Sequence, residues 1–118
     1  MVETAYALED RVGVKLGPVV VNGLYPPIAG LDVDPDDAAR DAGATLAEGE
    51  GKALREAAAF RGRRLELQTA QIRRLADALP LPQLHLPFLF TNRIGPTELD
   101  QLTRAMADGI AALGESVR

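Results

Sequence analysis

The chain has 118 residues and a mass of 12.6 kDa, the size of one domain at most. Its 47% apolar and 25% charged composition is ordinary for a globular chain, so long disorder is not expected, and a net charge of −4 argues against a dedicated nucleic-acid binder. With no cysteine and one histidine, disulfides, thiolate metal sites, a cysteine nucleophile and a histidine-based zinc site are excluded or improbable.

Val2 to about Val14 reads as a short helix, with Ala5, Leu8 and Val12 at helical spacing and Gly13 at its exit. Its acidic start, MVETAYALED, has neither the basic nor the apolar stretch of a signal peptide, so none is expected. Pro18-Val19-Val20-Val21-Asn22-Gly23 is a β-branched run between turn formers, hence a strand, and its lack of alternation predicts burial on both faces. Leu24 to Gly30 carries Pro26-Pro27 and reads as an extended loop. Asp34 then reads as an N-cap, with Pro35 at the first helical position and Asp36 and Asp37 facing the positive end of the helix. From Lys52 to Leu79 the pattern is strongly helical, with a stripe of Leu54, Ala58, Leu65, Ile72, Leu75 and Leu79 that Gly62 could interrupt. Pro80 and Pro82 stop it.

Gln83 to Phe90 reads as a second strand, with Pro87 ending regular pairing. Thr91 to Gly95 is a loop, and Pro96 or Thr97 opens a last helix whose stripe is Leu99, Leu102, Met106, Ile110 and Leu113. The order helix, strand, helical crossover, strand, helix predicts an α/β fold with parallel strands. Two such strands cannot satisfy four backbone edges between them. The expectation is therefore a piece of a larger sheet, or a chain that docks onto another; a self-contained small α/β domain is the alternative. No apolar run is long enough to span a membrane.

Charge is uneven: residues 1–59 carry 5 basic and 11 acidic side chains, and residues 60–118 carry 8 and 6. The acidic cluster Asp32, Asp34, Asp36 and Asp37 lacks the spacing of a calcium loop and reads as a helix cap. Arg61-Gly62-Arg63-Arg64 reads as a solvated helix face, and His85 as a hydrogen-bonded core or half-buried histidine. Gly49-Glu50-Gly51-Lys52 resembles a phosphate loop only faintly. Leu46 stands where that motif needs Gly, and Ala53 where it needs Ser or Thr, so it reads as a helix start.

The strand ends carry more. Ligands of open α/β sheets sit beyond the carboxyl ends of the strands. Asn22 ends the first strand, and its amide offers the donor and acceptor needed to read a purine edge. Pro87, Phe88, Leu89, Phe90, Thr91, Asn92 and Arg93 follow the second strand, with Phe88 or Phe90 able to contact a base. The competing reading makes Asn22 only a strand cap that itself accepts left-handed geometry before Gly23.

LGPVVVNGLYPP (16–27), FRGRRLELQTAQIRRL (60–75) and LPQLHLPFLFTNRIGPTELDQL (81–102) resemble the C-terminal part of the ArsA-type anion-transporting ATPases, and more closely their actinobacterial anion-transporter branch. The resemblance rests on the ordered set of a strand ending in Asn, an Arg-x-x-x-Gln helix (Arg64 to Gln68) and a Leu-Pro strand with a loop Gly at 95. It implies a P-loop NTPase sheet of the signal-recognition and MinD class, working as a homo- or heterodimer in the cytoplasm. Residues 1–118 would be its adenine-side segment, with Asn22 and Pro87 to Arg93 contacting the base. ATP and magnesium would bind the complete protein, whose phosphate loop lies upstream. The isolated chain would hold no cofactor and hydrolyse nothing, its partner being the upstream half or an ATPase subunit. The cysteine pair that clamps zinc in targeting-factor members is missing, as is the usual acidic residue before the loop Gly, where Asn92-Arg93 stand. The alternative is a non-enzymatic α/β module that docks onto a partner ATPase subunit.

Overall fold

A computed structural model describes residues 1–116. It is a mixed α/β chain whose described residues fall into two compact units, 1–26 with 70–116, and 27–69. Helix α1 (Val2–Ala7) runs on as one π-helical turn, Leu8–Val12, which Gly13 ends at φ 75°. The remaining elements are strand β1 (Val19–Leu24), helices α2 (Pro35–Asp41) and α3 (Glu50–Ala78), strand β2 (Gln83–Pro87) and helix α4 (Pro96–Ser116).

In the first unit β1 and β2 pair in parallel, with Val19 opposite Gln83, Val20 opposite Leu84, Val21 opposite His85 and Leu24 opposite Pro87. The Val19 amide donates to the Pro82 carbonyl at 2.8 Å and the Phe88 amide to the Leu24 carbonyl at 2.7 Å. Alternation along the ladder turns the Val20 and His85 amides to the outer edges. The buried apolar residues are few: Ala5, Leu79 and Leu84. Tyr6 anchors α1 by donating its hydroxyl to the Ala78 carbonyl at 2.8 Å, at the end of α3. Helix α4 lies on β2 through Gly109, where an added Cβ would stand 3.0 Å from Leu84 Cδ2. Its start is capped in reverse, the Gly95 amide donating to Glu98 Oε2 at 2.9 Å.

Burial on both strand faces is not what forms. Val20 is 47% exposed and His85 is exposed, its Nε2 lying 2.9 Å from Gln83 Oε1 rather than in a core. The two residues stand on opposite faces of the sheet, Val20 on the face of its partner Leu84 and His85 on that of its partner Val21. The α4 stripe is covered in part only: Leu102 and Met106 are half-buried, while Leu99 and Ile110 are 56% and 55% exposed. Leu86, Leu99, Leu102, Thr103, Met106 and Ile110 line an open apolar groove of about 450 Å³.

In the second unit Asp34 caps α2 as its sequence predicts, accepting from the Asp36 and Asp37 amides at 2.9 and 3.4 Å. Arg55, from α3, donates to Asp34 Oδ2 at 3.0 Å and also to Asp36. The guanidinium hydrogen bond holds the Asp34 carboxyl below the usual carboxylate range and raises Arg55. Gly49, at φ 83°, turns the chain into α3, so Gly49 to Lys52 is a helix start. Gly62 does not interrupt α3. Among the described residues, no helix is long and apolar enough to cross a membrane.

Candidate functional site

Because β1 and β2 are adjacent and parallel, their carboxyl ends leave the sheet on one side, as ligand sites of α/β sheets require. Between the pairs Val21–His85 and Leu24–Pro87, β1 spends two residues, Asn22 and Gly23, against Leu86 alone. This is a β-bulge, and Gly23 carries it at φ 75°, which a residue with a Cβ adopts only under strain. The bulge breaks the alternation of side chains where Asn22 stands, and Asn22 is exposed. Asn22 does not take the left-handed geometry that the capping reading gave it: among the described residues only glycines have a positive φ, and here it is Gly23 that does, beside the exposed Asn22 amide.

The chain after β2 supplies the rings. Phe88 and Phe90 lie with centroids 4.9 Å apart, nearly edge to face. Tyr25, one residue past the Leu24–Pro87 pair, closes the cluster at 5.2 Å from Phe88 and 5.3 Å from Phe90. Such tilted contacts suit the ring quadrupoles. Phe88 and Phe90 are nevertheless 41% and 60% exposed. Gly23 lies under the cluster, where an added Cβ would stand 3.9 Å from Phe88 Cδ2.

Of the sequence-predicted residues, Asn22, Phe88 and Phe90 thus come to one edge of the sheet. Pro87 ends β2, and Leu89 is half-buried between the two phenylalanines in sequence. Thr91, Asn92 and Arg93 form a turn of their own. Thr91 Oγ1 donates to the Arg93 carbonyl and accepts from the Arg93 amide, both at 3.1 Å. All three are exposed. Tyr25 was not among the predicted residues because Leu24 to Gly30 reads as one loop, whereas Leu24 belongs to β1 and Tyr25 follows it directly. Its signal was present: an aromatic residue one step past β1, as Phe88 is one step past β2.

No family model matches the chain, and no curated protein or solved structure matches it.

What the edge can do follows from its groups. The rings offer flat apolar contact, the Asn22 amide offers one donor pair and one acceptor, and the Thr91–Arg93 turn offers backbone polar groups. Among the described residues no group of three or more His, Cys, Asp or Glu side chains gathers to hold a metal ion.

Proposed function

We propose that this chain is the adenine-side segment of an ArsA-type ATPase, supplying base recognition and sheet completion to ATP binding and hydrolysis and performing no chemistry alone. The observation that carries the reading is the meeting, at the carboxyl edge of two parallel strands, of the Asn22–Gly23 bulge with the rings of Phe88 and Phe90. These groups fit a base. Phosphate and magnesium would be held by residues outside 1–118, where electrostatic stabilisation of phosphoryl transfer to water would arise.

The test is reconstitution. Residues 1–118 with ATP and magnesium should show no turnover, and adding a phosphate-loop half of an ArsA-type ATPase should produce it. In that complex Asn22→Ala should weaken ATP binding by about 1–2 kcal/mol, the cost of one well-made hydrogen bond. Turnover by the chain alone would refute the reading, and unchanged affinity would remove Asn22 from the site.

One observation favours the second reading, a non-enzymatic module docking onto an ATPase subunit. The groove along α4 is almost wholly apolar and open, with Leu99 and Ile110 exposed. A chain that binds such a subunit without ever restoring turnover would support it.

A further inference from the structure

Three of the chain's five aromatic residues gather at one place, and that place is outside its buried apolar core of Ala5, Leu79 and Leu84. Aromatic rings carry the largest apolar area of any side chains, and folding ordinarily spends them on the interior. Here Phe88 and Phe90 stay 41% and 60% exposed while half-buried Tyr25 packs tilted against Phe88 and edge to face against Phe90. The cluster stands at the carboxyl edge of the sheet, beside a bulge held by left-handed Gly23.

We infer that Tyr25 is a third base-contacting residue, and that Tyr25, Phe88 and Phe90 form one platform selecting a purine over a pyrimidine. The inference rests on the reading of this edge as a base site and adds its third wall and its selectivity. Tilted rings present both faces and edges, so a flat heterocycle laid on them meets complementary quadrupoles. Stacking gains grow with the ring area covered, and a two-ring purine covers more of a three-ring platform than a one-ring pyrimidine. Base–aromatic stacking is sequence-tolerant by nature, so the platform sets ring size and leaves the edge pattern to Asn22. Tyr25 acts here through its ring, not its hydroxyl.

The test uses the full chain and nucleosides, which carry the base and no phosphate. Adenosine and cytidine are titrated while proton NMR follows the ring resonances of Tyr25, Phe88 and Phe90. Adenosine should shift all three saturably, and cytidine should bind at least about 5-fold more weakly. Tyr25→Leu should weaken adenosine at least about 5-fold, Tyr25→Phe by less than about 2-fold, with the thermal midpoint of each variant recorded beside its affinity. The inference is overturned if adenosine leaves the rings unshifted, if cytidine binds equally, or if a folded Tyr25→Leu binds as well as the parent. If Tyr25→Leu does not fold, Tyr25→Phe and the Tyr25 shift itself decide. Adenosine binding in a chain that never restores turnover with a phosphate-loop half would sink the ATPase reading and leave the platform standing.

Discussion

At the scale of single residues, the Asp34 carboxylate does two jobs. It caps α2 and receives Arg55, and both interactions need the charged form. Its lowered pKa fixes the sign of the pH dependence. The contribution of the pair is complete above the usual carboxylate range and is lost as pH falls through the depressed folded value. Carbon NMR of the side-chain carboxyl should find Asp34 titrating below free aspartate, and Arg55→Ala should move it upward. Identical titration in both proteins would show that Arg55 does not set it. The cap was legible in the sequence because Asp-Pro-Asp-Asp is a local signal. Its partner Arg55 was not, since it lies 21 residues away and only the fold brings it near.

At the scale of elements, the contact of α4 with β2 depends on Gly109. In an exposed helix Gly→Ala gains up to about 1 kcal/mol. Here the new methyl meets a buried leucine at 3.0 Å, and overpacking of that kind costs about 1–3 kcal/mol. Gly109→Ala should therefore lower stability in urea unfolding by about 1 kcal/mol; a gain would show that α4 can lift away freely. The helices and strands were readable in outline, because periodicity, the stops at Pro80 and Pro82 and the start at Pro96 are local, although β2 ends at Pro87 and does not run on to Phe90. Three things were not. The β-bulge at Asn22–Gly23 exists only relative to Leu86 opposite. The inclusion of Tyr25 needs the register that places it beside Phe88. The exposure of Val20 and His85 contradicts burial on both faces, because apolar sequence reports what a strand can bury, and burial requires a neighbour.

At the scale of the whole molecule, the sequence and the structure raise the same question. The strands are apolar enough for enclosure, and among the described residues they share one two-stranded ladder, with α4 packed on β2. A two-stranded sheet of this kind is marginal in water without further support. Large apolar side chains stay exposed in this unit, among them Val20, Leu99 and Ile110. The proposed segment role requires that the outer edges of the ladder pair with further polypeptide.

Residue-resolved amide hydrogen exchange measures this directly. In the chain alone the Val19 and Phe88 amides, which donate within the ladder, should be protected, while the Val20 and His85 amides on the outer edges should exchange at nearly the unprotected rate. Adding the phosphate-loop half should slow Val20 or His85, whichever edge it extends. Strong protection of both amides in the chain by itself, unchanged by any added half, would contradict the account.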